Sequence, residues 1–529
     1  MFCLYINLKL EGIIKHYFSN TSILFSYSIR ANLQYALAFS IKIYNVGKIF
    51  MNTKFFRFFF VFCATIASYS GYGDGFVRVS ERNPNYFELS DSSVYIPLGY
   101  NLSFPRFWDK LSEEESFAMV EKHLKNIAEN GGNYARIWIS HPFYEIEDSR
   151  PGVYNPKKFA RIDRLVGLAQ KYGVRLKICL EHFRNIRKYR PAENESGLQT
   201  HIFQRPAYAG EFANMKEYFS SQKGRDLFFN RFEALFKKYS DNPIIFAWEL
   251  WNEQNTVQAD AKVVKEWEKY MFKRMSEVCK NQMIVNSYGS LDSDSSKKAY
   301  KFYYNDSSNM IAAVHRYLDE GAAYDVCHGP VDLAAADAIK EIKEMYPEHP
   351  ALLAETGAVQ PKHSGPWRYY DADTDGIIFH DALYTPFFCG SAGGGQPWHW
   401  DVYIYKHELW RHLKPFSALL EKIDPRDENF KPFRADTKKL RVYALDGKKT
   451  LLSFARDIDN NWVNEFEKGI KPSKISGEKI DFTNAVKGRK ISKVRVYDLW
   501  GGAVNSAEPS AKVSLPPFKR SCAVRIDFE

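Results

Sequence analysis

Two segments of the chain end an apolar run on a carboxylate. Trp248-Glu249-Leu250-Trp251-Asn252-Glu253 gathers two carboxylates and an amide, and Leu352-Leu353-Ala354-Glu355-Thr356-Gly357 supplies one more. A charged group where a buried run enters a loop carries a desolvation cost that packing does not offset, so such positions point to chemistry. Carboxyls on two strand ends can face one another across a barrel mouth, which is what cleavage of a glycosidic bond requires. A separation of about 5–5.5 Å gives a covalent intermediate and retention, whereas about 6.5–9.5 Å leaves room for water and gives inversion. Glu249 falls on the face of Glu253 by the period of two. It therefore either competes for the acid role or pairs with a cation inside the barrel.

These groups need a scaffold that brings strand ends together. From Tyr95 onward short apolar runs alternate with longer amphipathic segments, the pattern of βα units around a parallel sheet. Eight strands are expected: Tyr95–Asn101, Tyr134–Ile139, Arg175–His182, Ile244–Glu253, Met283–Tyr288, Met310–Tyr317, Ala351–Glu355 and Phe387–Ser391. One helix is framed by a Ser112/Glu115 capping box and by Gly131. Others are expected over Pro156–Lys171, Gly224–Tyr239, Ala261–Lys280, Leu333–Met345, Gly376–Tyr384 and His407–Ile423. The fold class is thus α/β, a (β/α)8 TIM barrel over 95–425, whose strand C-termini carry the site. Residues 73–94 supply strands that close its floor, and loops 183–216 and 359–375 shape the cleft. Short β-rich runs over 433–529 indicate a small C-terminal β-sandwich domain.

The chain resembles the glycoside hydrolase superfamily that includes family 5 cellulases and mannanases. The resemblance rests on Asn252-Glu253, Glu355, Arg136, His315-Arg316-Tyr317 and Trp398 or Trp400, in that group's order along the barrel. It implies that Glu253 is the acid/base, protonating the leaving oxygen and later activating water, and that Glu355 is the nucleophile. Arg136 and Tyr317 would keep Glu355 ionised, Asn252 would hold the 2-hydroxyl of the reacting sugar, and His182 and His315 would line the site. Trp398 or Trp400 would give a stacking face, with Gly393-Gly394-Gly395 bending the backbone close to ligand. Arg136 also reads as a buried counter-ion, and either tryptophan as core packing. No metal or cofactor is expected.

Composition excludes other classes. The net charge is +10, but residues 1–75 hold seven Lys/Arg and two Asp/Glu, leaving +5 for the rest and no basic stripe for nucleic acid. Residues 51–72 read as a signal peptide, basic and then briefly apolar, and 1–50 as an upstream or leader extension outside the fold. The protein is therefore expected to be secreted or periplasmic, without a membrane span. Five cysteines, Cys179, Cys279, Cys327, Cys389 and Cys522, remain beyond the leader, with neither disulfide nor metal-ligand spacing. The expected partner is a carbohydrate substrate, and the expected function is secreted, retaining hydrolysis of a β-linked polysaccharide or oligosaccharide. An exo-acting β-galactosidase or β-mannosidase type and a non-catalytic glycan-binding barrel stand beside it.

Overall fold

The computed structural model describes residues 75–106, 109–182, 186, 208 and 210–529. The expected leader and most of the loop after the third barrel strand lie outside them. A three-stranded antiparallel sheet, β1 (Val77–Val79), β2 (Phe87–Leu89) and β3 (Val94–Tyr95), comes first. Its Val77, Phe87, Leu89 and Tyr95 share one apolar cluster with Tyr134, Phe246, Met283, Ile311 and Leu352, near the starts of barrel strands. Its apolar face thus packs against the N-terminal ends of the barrel strands.

Five parallel strands follow in neighbouring order: β4 (Gly99–Asn101), β5 (Tyr134–Trp138), β6 (Arg175–Cys179), β7 (Ile245–Glu249) and β8 (Met283–Val285). A parallel pair, β9 (Ala312–Leu318) and β10 (Ala351–Ala358), continues the barrel. The principal helices are α1 (Glu113–Glu129), α2 (Pro156–Tyr172), α3 (Met215–Ser220), α4 (Gln222–Tyr239), α5 (Ala261–Val278), α6 (Asp294–Tyr304), α7 (Val331–Met345) and α8 (Ile377–Phe388). α1 carries its capping box, with Ser112 Oγ accepting from Glu115 N–H and the Glu115 carboxylate accepting from Ser112 N–H. No helix of the described residues is long and apolar enough to cross a membrane.

The eighth strand is not where it was expected. Residues 387 and 388 end α8, and the barrel closes through the next segment. Ala392 N–H donates to Ala351 O, Gln396 N–H to Leu353 O, Trp398 N–H to Thr356 O, and Asn101 N–H to Pro397 O. The Gly393–Gly395 run serves that closure, because a Cβ on Gly393 would lie 2.3 Å from Pro97 O and one on Gly395 2.0 Å from Ala382 O. All twelve residues of α8 are buried. It packs on β10 and on the C-terminal strands β12 (Leu440–Asp446) and β13 (Thr450–Asp457). A helix covered on both sides is apolar all round, so its last turn mimics a buried strand in sequence. The expected helix over His407–Ile423 is broken, with a regular α-helix only at Leu413–Leu419.

β12 and β13 belong to a six-stranded antiparallel sheet that begins at Lys431 and is accompanied by two short ribbons. Leu440, Val442 and Ala444 enter the sheet's own core, while the intervening Tyr443 and Leu445 join the barrel's core. Arg441 and Tyr443 both bond the buried Asp332 of α7, and Arg456 bonds Asp381 of α8. The sheet-rich C-terminal region is thus welded to the barrel.

Candidate active site

β5 alternates Tyr134, Arg136 and Trp138 against Ala135 and Ile137, so Arg136 projects into the barrel. Its guanidinium is fully buried. Nε donates to Glu249 at 2.6 Å and Nη2 to the same carboxylate at 2.8 Å; Nη2 also donates to Asn252 Oδ1 at 2.8 Å. Nη1 donates to Asn101 Oδ1 at 3.1 Å and to Glu355 Oε1. Lys177 of β6 lies 3.5 Å from Glu249. Burial alone would raise the Glu249 carboxyl, but Arg136 and Lys177 hold it down to about 2. Glu249 is therefore the partner of the barrel-interior cations, the second of its two sequence readings.

A bulge between Leu353 and Glu355 sets Glu355 beside His315 of β9 and Gly357 beside Tyr317. Such an extra residue re-aims a side chain next to a site. Tyr317 Oη donates to Glu355 Oε2 at 2.8 Å. Burial, then the Glu355 charge, pushes the Tyr317 phenol well up, so it stays a donor. Glu253 is not on the strand. β7 stops at Glu249, and Glu253 sits in the following turn with a left-handed backbone (φ 49°), a conformation costly for a glutamate. The turn is held by Asn252 N–H on Glu181 O, Glu253 N–H on Ser287 Oγ and Gln254 N–H on Ser287 O. His315 Nδ1 lies 3.2 Å from Glu253 and 3.5 Å from Glu355. Oxygens of the two carboxylates and the ring nitrogen all lie within 4.8 Å of one another.

Both glutamates open onto a cleft of about 690 Å³ lined also by Trp138, Asn252, Tyr317, Trp398 and Trp400. Two carboxylates this close, one in the arginine network and one in a strained turn, are the geometry of double displacement at a sugar's anomeric carbon.

The family model Cellulase (glycosyl hydrolase family 5) matches residues 104–366. Residues 104–366, which hold most of the barrel, are a glycosyl hydrolase family 5-like domain. A mannan endo-1,4-beta-mannosidase 5 from Arabidopsis thaliana is 26% identical over 204 residues, 36% of this chain and 44% of that protein. A mannan endo-1,4-beta-mannosidase A from Aspergillus aculeatus is 27% identical over 235 residues, 41% of this chain and 56% of that protein. The chain thus spans about half the length of these curated relatives. Among solved structures, a glycoside hydrolase family 5 protein from Bacteroides vulgatus ATCC 8482 shares the fold, with a TM-score of 0.53 at 12% identity over 86% of this chain and 93% of that chain.

Beyond the family 5-like residues, Trp398 is 7% exposed and Trp400 1%. Trp400 Nε1 donates to Phe104 O at 2.9 Å, which ties it to the wall, whereas Trp398 packs on Trp138 with ring centres 4.8 Å apart. His182 stacks on Trp138 and bonds Ser140 Oγ; it is not among the described residues lining the cleft. In the glycine run, Gly393 and Gly395 pack against the Pro97 and Ala382 carbonyls and Gly394 against the Leu383, Phe416 and Leu98 side chains, and none of the three lines the cleft. Sequence reasoning missed Asn101, whose Nδ2 donates to Ala354 O at 3.0 Å and Gln396 O at 2.8 Å while its Oδ1 accepts from Arg136. A polar residue ending the first apolar run was the available signal. Two described groups bring together three donors able to hold a metal ion: Glu253, His315 and Glu355, and Asp292, Asp319 and His363.

Proposed function

We propose that the protein hydrolyses β-glycosidic bonds of a polysaccharide or oligosaccharide with retention, with β-1,4-mannan as first substrate candidate. The observation that carries the reading is the approach of the Glu253 and Glu355 carboxylates to within 4.8 Å. The named activity of the relatives favours mannan.

Glu355 attacks the anomeric carbon as Glu253 gives its proton to the leaving oxygen, so the C–O bond breaks and a glycosyl ester forms on Glu355. Water then attacks the same carbon while Glu253 takes its proton, releasing the sugar and restoring both groups. Arg136 Nη1 and Tyr317 Oη donate to the two oxygens of Glu355 and so hold the carboxylate in place. Asn252 Oδ1 is committed to Arg136, which leaves Nδ2 to donate to the sugar's 2-hydroxyl. Trp398 offers the stacking face. Export through the leader over 51–72 is part of the proposal and places the protein where polymer substrates are.

The test is release of reducing ends from mannan, β-glucan and xylan by the native protein, Glu253→Gln and Glu355→Gln. Mannan hydrolysis abolished in both variants is expected. Glycan binding without hydrolysis, unaffected by either substitution, would point instead to a non-catalytic barrel.

A further inference from the structure

Glu268 of α5 sits on the helix's apolar face with Val264, Trp267, Met271 and Met275, and is 1% exposed. A carboxylate in such a place needs a reason, since burial pushes its carboxyl up to about 7. Its partners lie just beyond the end of β8. Asn286 Nδ2 donates to it at 2.6 Å, and Tyr288 Oη lies 3.0 Å from each of its oxygens.

Asn286 in turn holds the turn that carries Glu253. Its Oδ1 accepts from Trp251 N–H at 3.0 Å, and its Nδ2 also donates to Gln254 Oε1. These contacts bracket Asn252-Glu253 on both sides. A backbone N–H can only donate, so the atom facing Trp251 must be the amide oxygen; that sense holds only if an acceptor faces the amide nitrogen. Gln254 Oε1 and the Glu268 carboxylate are the acceptors there, and Glu268 is the one outside the turn itself. The left-handed backbone at Glu253 persists only where its surroundings over-determine it.

We infer that Glu268 is a positioning residue for the acid/base, acting through Asn286 to fix the turn that aims Glu253. The inference rests on the proposed hydrolysis. Glu268 lies outside the cleft lining.

A group that aims the general acid matters most when the leaving oxygen needs a proton. The experiment therefore compares kcat/KM on a phenyl and a 2,4-dinitrophenyl β-glycoside, of the sugar the native protein cleaves, for the native protein, Glu268→Met, Glu268→Gln and Asn286→Ala. Glu268→Met and Asn286→Ala are each expected to lose about tenfold to a hundredfold on the phenyl glycoside, the scale of a small misplacement of a catalytic group. On the dinitrophenyl glycoside, whose leaving group departs unprotonated, the loss should stay under about threefold. Glu268→Gln, which keeps an acceptor oxygen for Asn286 Nδ2 and can still pair with the Tyr288 hydroxyl, should restore the phenyl rate. Equal losses on both glycosides, or none, would overturn the inference, and either Glu268→Met or Asn286→Ala suffices if the other does not fold. Absence of native turnover on the polymers and on every aryl glycoside alike would instead overturn the proposed hydrolysis, and the inference with it.

Discussion

Glu249→Gln tests whether the site's electrostatics are organised as described. Glu249 receives Arg136 at 2.6 Å through side chains that are both 0% exposed, and Lys177 lies 3.5 Å away. Removing one partner of a buried ion pair costs about 3–5 kcal/mol, because it strands the other charge. The carboxyl gives a second route to the magnitude. It drops from the usual 4.5 to about 2, and at about 1.4 kcal/mol per unit the ionised form contributes about 3 kcal/mol. A depressed carboxyl contributes stability that is present above its unfolded value and lost as pH falls through its folded value. Urea unfolding should therefore show Glu249→Gln less stable by about 3 kcal/mol at pH 7, with the gap closing between about pH 4.5 and pH 2. A gap below about 1 kcal/mol at pH 7, or one that does not change with pH, would refute the reasoning.

Tyr317→Phe removes the 2.8 Å bond to Glu355. A bond to a charged group is worth about 1.5–3 kcal/mol, so kcat/KM should fall about tenfold to a hundredfold, with the melting temperature lowered by a few degrees at most. Trp398→Ala should raise KM for polymer substrate more than it lowers kcat, measured by reducing-end kinetics, because stacking acts on bound sugar before and during reaction alike. Asp332→Asn weakens the buried contacts to Arg441 and Tyr443. Calorimetry should show the single unfolding transition split or lowered, since these bonds join barrel and sheet.

The pairing of Glu253 with Glu355 was legible because both follow apolar runs that only strand ends explain, whereas Arg136 came from the family resemblance, with a buried counter-ion as its other reading. Its main partner was not chosen in advance. Period-two reasoning put Glu249 and Glu253 on one face, but β7 ends at Glu249 and the turn beyond it breaks the alternation. The eighth strand was misplaced because α8, covered on both sides, lost the amphipathic period that marks a helix. α6 was missed for the opposite reason. It opens with Asp294-Ser295-Ser296, which reads as a turn until Ser293 and Ser296 are seen to cap it. Asn101 and Glu268 draw their meaning from partners distant in sequence or on another element, which no local pattern encodes.

The most direct test of the account is the stereochemistry of hydrolysis, followed by proton NMR on the anomeric signals of a cleaved β-glycoside at early times. Carboxylates within 4.8 Å of one another predict that the β-anomer appears first and then mutarotates. Appearance of the α-anomer first would mean that water attacks directly, and would contradict the assignment of Glu355 as nucleophile.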